Sequence, residues 1–287
     1  MLVSERIGQL FVESDGGRDR LEYTEYGSGD EWVVLLHGLL MPRRMQQPLA
    51  RAMAAQGLHV VTLDLLGHGR SDQPADPLVY SMTSFAEQVV ALLDHLGADQ
   101  AVIGGTSLGA NVSLEVAVIA PERVKGLVVE MPVLNNALVA GLLAFVPIML
   151  AARYLPVTAN VLQRASRSVP RGLVPFWAGV GLDTVDHRAD ALAAVLHGVI
   201  FGRIAPSSAQ RRRIQAPVFV VGHPTDPIHP FVDADMLAAE LPNARFERAT
   251  SILEWRVRPD RLTRAAADFA LECWATPVQT RGRARKR

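Results

Sequence analysis

Cysteine is almost missing from this 287-residue chain: Cys273 is the only one. No intrachain disulfide can staple the fold, and a reducing compartment is the expected home. Lysine is scarce as well, with Lys125 and Lys286 set against many arginines, a bias that reads as gene base composition rather than chemistry. Net charge is absent. With 29 basic and 29 acidic residues there is no global field to attract nucleic acid, and no nucleic-acid partner is expected. The start, Met1-Leu2-Val3-Ser4-Glu5-Arg6, has no apolar signal core, so a cytoplasmic location is expected. Finally, no histidine follows His229.

What is present is apolar sequence, 49% of residues against 20% charged, enough for one large core or a core with an inserted smaller domain. Charge is unevenly placed. Arg281, Arg283, Arg285, Lys286 and Arg287 gather five cations at the end, leaving 24 bases to face 29 acids in the rest. Residues 276–287 are therefore expected to form a solvated, disordered basic tail, with weak membrane-surface contact as the lesser reading.

Two short strands, 7–12 and 21–26, are expected around a polar turn. After Gly27-Ser28-Gly29 the pattern changes to continuous apolar runs at 33–36, 60–63, 101–103, 127–129 and 218–221. Such runs belong to strands covered on both faces, as in a parallel sheet. Helical stretches at 45–56, 83–96 and 108–120 alternate with them, with Thr83 as the expected cap of the second. The alternation indicates an α/β sheet with right-handed crossovers. From 131 to 214 it stops, and apolar helix-like sequence runs without a strand signal. It resumes with helix 231–241, strand 244–249 and helix 259–274. The expected organisation is a core from 1–130 and 215–275 with a helical lid, 131–214, over the carboxyl edge of the sheet, where open α/β folds bind ligands.

Within that lid, residues 131–152 carry no charge. The run is long enough to span a bilayer, but Asn135-Asn136 and Pro147 interrupt it and sheet sequence brackets it. A lid helix lining a lipophilic pocket is the better account.

Gly105-Thr106-Ser107-Leu108-Gly109 follows the apolar run 101–103 and opens a helical stretch. Strand before and helix after turn a weak pattern into a nucleophile elbow, a sharp turn that raises a serine above the sheet edge. No Walker lysine, dinucleotide fingerprint or zinc-ligand spacing is found, so no metal or organic cofactor is implied.

Over about residues 21–274 the chain resembles the α/β-hydrolase superfamily, in its lid-bearing esterase, lipase and cofactor-free haloperoxidase-like branch. The resemblance rests on His37-Gly38-Leu39-Leu40, on Asp64-Leu65-Leu66-Gly67-His68-Gly69-Arg70-Ser71-Asp72, on the elbow, and on Gly222-His223-Pro224-Thr225-Asp226. It implies a mostly parallel eight-stranded sheet flanked by helices. It also implies Ser107 as nucleophile, the backbone N–H groups of Leu39 and Leu108 as oxyanion hole, and Asp226 as the acid orienting a base. Asp before Pro also initiates turns, so Glu130, at another strand end, is the reserve acid. His37 and His68 read as loop stabilisers.

The family places its catalytic imidazole in the loop after the last strand. Here that loop reads Ala249-Thr250-Ser251-Ile252-Leu253-Glu254-Trp255-Arg256. Counting forward from Asp226 puts Glu254 at the imidazole position; counting back from Pro259 puts Ile252 there. Three explanations stand. Glu254 serves as base with its pKa raised beside Asp226, against the alternative of an ion pair with Arg256 or Arg258. Or a histidine comes from elsewhere: His229 first, in the acid's own loop, then His223, or His187 and His197 from the lid. Or catalysis is weak or lost, leaving the oxyanion hole and binding alone. Since ion pairing accounts for Glu254 and loop packing for His229, the sequence leans to the third.

The expected function is hydrolysis of an ester, thioester or lactone with a lipophilic acyl portion, through a Ser107 acyl-enzyme with an incomplete or altered triad. The alternative is a catalytically impaired hydrolase-fold protein that binds an apolar ligand or partner.

Overall fold

The computed structural model describes residues 3–14 and 17–276. The arginine-rich end from Arg281 to Arg287 lies outside them. Eight strands form one sheet in the order β1-β2-β4-β3-β5-β6-β7-β8. The strands are β1 (Glu5–Ser14), β2 (Gly17–Tyr26), β3 (Trp32–Leu36), β4 (His59–Leu63), β5 (Ala101–Thr106), β6 (Val124–Glu130), β7 (Val218–Gly222) and β8 (Ala244–Arg248). The β1–β2 and β2–β4 pairs are antiparallel and the rest parallel. The hairpin is longer than its apolar pattern suggested, because pairing in full register carries it out to Ser14 and Gly17.

The apolar runs bury both faces of the sheet. In β3, Val34 and Leu36 join one core while Val33 and Leu35 join the other. Helices α2 (Met82–Leu96), α3 (Leu108–Ile119) and α9 (Phe231–Glu240) cover the first face. Helices α1 (Gln47–Ala54) and α11 (Asp260–Ala275) cover the second. This two-sided burial is why the strands read as continuous rather than alternating runs. The cap of α2 is Ser81, whose hydroxyl accepts from Ser84 N–H at 3.0 Å, not Thr83. Thr83 instead donates to Glu115 at 3.1 Å.

Between β6 and β7 the chain inserts helices α4 (Leu138–Tyr154), α5 (Pro156–Ser168), α6 (Phe176–Val185), α7 (Ala189–Phe201) and α8 (Ser208–Arg211), with no strand among the described residues. Helix α4 packs on α7, and α7 joins the first core through Val195, Leu196 and Val199. After β8, the short α10 (Glu254–Val257) leads into α11. The carboxyl ends of β3, β5, β6 and β7 thus meet the inserted helices, and the candidate residues collect there.

Candidate active site

Ser107 sits between β5 and α3 with φ of 54° and ψ of −108°, a region L-residues seldom occupy. The flanking glycines make the turn possible. A Cβ on Gly105 would lie 2.6 Å from the Gly109 backbone, and one on Gly109 would lie 2.6 Å from the Leu36 carbonyl. Hydrogen bonds pin the turn: Ser107 N–H donates to Glu130 O at 2.9 Å, and Gly109 N–H to His37 O at 3.1 Å. Leu108 is the first residue of α3, where a backbone N–H has no intrahelical partner. Leu39, from the loop after β3, lines the same cavity as Leu108, Ser107 and His229. The His37 ring holds that loop, donating from Nδ1 to Gly38 O at 2.9 Å while Nε2 accepts from Leu65 N–H at 3.0 Å.

Asp226, in the loop after β7, folds that loop around its own carboxylate. Its Oδ1 accepts from the N–H groups of Ile228 at 2.8 Å and His229 at 2.9 Å. Such an Asx-type turn swings the residue three positions on back over the same carboxylate. His229 Nδ1 accordingly lies 3.0 Å from Asp226 Oδ2, and its Nε2 lies 2.9 Å from Ser107 Oγ. With Nδ1–H donating to the carboxylate, Nε2 carries the lone pair that the hydroxyl proton meets. The Asp226 side chain is 2% exposed. Burial pushes its pKa up, but the hydrogen bonds from the His229 ring and backbone outweigh it, and the net shift is downward.

Glu254 is placed differently. Its carboxylate receives Arg261 at 2.8 and 3.0 Å and the Thr250 hydroxyl at 2.9 Å. The Arg261 hydrogen bond first, then those from Thr250, lower its pKa to about 2. That corrects the expectation of a raised-pKa base beside Asp226: an anion so held does not take a proton near neutral pH. The partner is Arg261, the second residue of α11, rather than Arg256 or Arg258.

Glu130 and His223 form a second pair. His223 Nε2 meets Glu130 Oε1 at 3.0 Å, and Nδ1 meets Ser251 O at 3.0 Å. Glu130 also accepts from Arg256 at 2.6 Å and from the Thr106 hydroxyl. Burial pushes the Glu130 pKa up, but Arg256 and His223 bring it down to about 2. Burial lowers the His223 pKa while its bond to Glu130 raises it, with a net rise. Glu130 is therefore engaged under the elbow rather than held as a reserve acid. Glu130 does sit at a strand end as expected; its parallel pairing with Thr106 sets it beside the elbow, and the arginine that meets it comes from α10. The segment after β8 lines a separate cavity, with Trp255 and Arg256 beside Glu130 and Thr106, and not the one that Ser107 faces.

His187 is buried against His68, ring centroids 6.0 Å apart, with Nδ1 bonded to Thr184 O at 2.8 Å. His197 packs on Phe201. Neither reaches Ser107. Among the described residues no group of three or more His, Cys, Asp or Glu is placed to hold a metal ion.

The cavity over Ser107 and His229 measures about 670 Å³. Leu134, Leu138, Leu142, Phe145, Val199, Ile200 and Met236 make its apolar walls, with Asn111, Arg203 and Arg211 on the polar side. The two arginines are engaged, Arg203 with Glu115 and Arg211 with Glu240.

Comparison with known proteins gives the same outline. The chain is 38% identical over 115 residues to the dihydrolipoyllysine-residue acetyltransferase component of the acetoin cleaving system of Pseudomonas putida, covering 39% of this chain and 30% of that protein. It is 35% identical over 109 residues to bifunctional epoxide hydrolase 2 of Sus scrofa, covering 37% and 19%. The matched segments thus span under a third of these relatives. Similar solved structures include the enol-lactonase of Burkholderia xenovorans LB400, TM-score 0.72 at 20% identity over 91% of this chain and all of that one. A thermophilic esterase of Thermogutta terrifontis gives 0.73 at 20% identity over 93% and 99%. At that identity the likeness is one of fold. The family model described as alpha/beta hydrolase fold matches residues 31–174, half of the chain, and takes in the loop after β3, the elbow and the start of the inserted helices. With the sheet order and the strained serine turn, this places the chain in the α/β-hydrolase fold family.

Proposed function

We propose that the protein is a serine hydrolase of esters, thioesters or lactones with a lipophilic acyl portion. One observation carries the reading: the 2.9 Å contact between His229 Nε2 and Ser107 Oγ, with Asp226 behind the ring. His229 takes the Ser107 proton as Oγ attacks the substrate carbonyl, and the backbone N–H groups of Leu39 and Leu108 receive the developing oxyanion. The imidazolium so formed is stabilised by the Asp226 carboxylate and returns its proton to the leaving oxygen or sulfur. Water activated by His229 then cleaves the acyl-enzyme.

Here the imidazole comes from three residues after the acid, in the same turn, instead of from the loop after the last strand. With a base in reach, the reading of a catalytically impaired protein rests only on the histidine-free segment after the last strand. The apolar cavity supports the lipophilic acyl portion, and its volume suits a small-molecule substrate. Helices α4 to α8 serve as the lid that excludes water from it.

The test is covalent labelling with a fluorophosphonate followed by intact-mass spectrometry. A single adduct on the wild type, absent from Ser107→Ala and strongly slowed in His229→Ala, is expected. An unlabelled wild type, or equal labelling of His229→Ala, would end this reading. Turnover on a p-nitrophenyl ester series should rise with acyl length until the cavity is filled.

A further inference from the structure

As far as Ala152, helix α4 is apolar around its whole circumference. Within Asn135–Tyr154 an 18-residue window has mean hydropathy 1.9, and the segment is long and apolar enough, by length and composition, to cross a membrane. A helix of that kind in a folded protein is normally buried on every side, and this one is not. Leu138, Gly141, Leu142 and Phe145 line the Ser107 cavity. At 100° per residue, Val139, Leu143, Leu150 and Tyr154 fall on a second stripe turned well away from the first. That stripe faces outward: Val139 is 68% exposed, Leu143 73% and Tyr154 74%. Leu155 and Val157 continue it into α5, where Val157 is 76% exposed and is followed along the helix by the exposed Val161.

Charge says what covers this face. From 131 to 182 the sequence has no aspartate or glutamate, while Arg153, Arg164, Arg167 and Arg171 lie within it. Arg167 and Arg171 are paired with Asp186 and Asp183. Arg153 and Arg164 are exposed and have no ion-pair partner among the described residues. Arg153 borders the outward stripe of α4. Arg164 stands one turn beyond Val161 on the stripe of α5. Exposed apolar side chains edged by free arginines, with no acid to repel phosphate, complement an anionic lipid surface.

We propose that the outward face of α4 and the start of α5 docks on an anionic lipid bilayer, with α4 lying in the plane of the interface. The inner stripe of α4 stays packed on the cavity, so the helix cannot span without leaving the fold. Leu138 and Leu142 belong both to the cavity wall and to the exposed set. The docked face therefore adjoins the cavity, and a lipophilic ligand can pass between bilayer and cavity with little exposure to water. The docking does not depend on the catalytic reading.

The experiment is flotation of the full chain with phosphatidylcholine vesicles, with and without phosphatidylglycerol, at low and high salt. Sedimentation without vesicles is run in parallel. The wild type is expected to float with the anionic vesicles and to be released by salt. Leu143→Asp/Val157→Asp should lose flotation, and Arg153→Gln/Arg164→Gln should weaken it about 30-fold. Both double variants should keep the wild-type fluorophosphonate labelling rate at Ser107, or the wild-type far-UV circular dichroism if Ser107 is unreactive, because they lie outside the cavity lining. Failure of the wild type to float with either vesicle overturns the proposal. So does flotation that persists in Leu143→Asp/Val157→Asp, which assigns binding to another part of the chain such as the terminal arginines. A wild-type dimer that this variant converts to monomer, with no vesicle binding, gives the face to a second copy instead.

Discussion

Two histidine–carboxylate pairs stand at the carboxyl edge of this sheet. In each, one imidazole nitrogen meets a carboxylate at 3.0 Å. They differ in the other nitrogen. In His223 it meets the Ser251 carbonyl, so both ring nitrogens donate and the ring is held as imidazolium. In His229 it meets a hydroxyl, which can give up its proton. Glu130 is further shared with Arg256 and Thr106, while Asp226 is otherwise occupied only by the backbone of its own turn. The same histidine–carboxylate combination is closed off as an ion pair in one place and, on the function proposed above, serves as a proton relay in the other; what sets them apart is the group that meets the second nitrogen.

Exchanging the two histidines tests this contrast most severely. His229→Ala is expected to lower kcat by roughly 10⁶-fold, as loss of the base from a working triad does. His223→Ala should instead leave Glu130 with one cation fewer and act chiefly on stability. Comparable kcat losses in both, with both variants folded, would erase the distinction. Next in size, Asp226→Asn should reduce kcat by about 10⁴-fold with little change in KM, because the amide favours the wrong imidazole tautomer.

A smaller effect is expected on folding. Glu130→Ala leaves the Arg256 guanidinium without its carboxylate and removes the bond that opposes the effect of burial on His223, which should cost about 3–5 kcal/mol in denaturant unfolding. The pH dependence sharpens the point. The Glu130 pKa lies at about 2, below the ordinary 4.5, so its contribution is present above 4.5 and lost as pH falls toward 2. The His223 pKa is raised above 6.5, so its contribution is present below 6.5 and lost as pH rises through the raised value. Tm of the wild type should therefore gain most from this pair between pH 4.5 and 6.5. Glu130→Gln/His223→Gln should flatten both flanks, and an unchanged profile would refute the ion pair. Smallest of all, Glu254→Gln should keep kcat within about twofold and weaken the ties to Arg261 and Thr250, by roughly 1–2 kcal/mol.

The sheet was legible because parallel strands covered on both faces leave continuous apolar runs. The elbow was legible because only glycine tolerates the 2.6 Å approaches around Ser107. His229 was visible as a histidine in the loop of Asp226 itself, yet ordinary loop packing explained it equally well. The missing clue was the turn itself: an aspartate whose carboxylate caps the N–H groups two and three residues on brings the third side chain back upon it. Glu254 misled because counting along a chain aligns positions and not directions. The position falls in the right segment, but α10 turns the carboxylate toward α11.

By itself, the sequence determined the backbone: which runs pair into a sheet, where the serine turn is forced, and that residues 131–152 form an apolar helical stretch. Those are local matters of burial, φ and spacing. Only the tertiary structure decided which side chains meet. Ser107 and His229 are 122 residues apart, and their contact depends on β5 and β7 flanking β6 in the sheet. Which face of α4 remains uncovered likewise depends on where α7 and the cavity lie against it. A pattern of apolar residues states that a surface must be covered; the packing of distant elements settles what covers it.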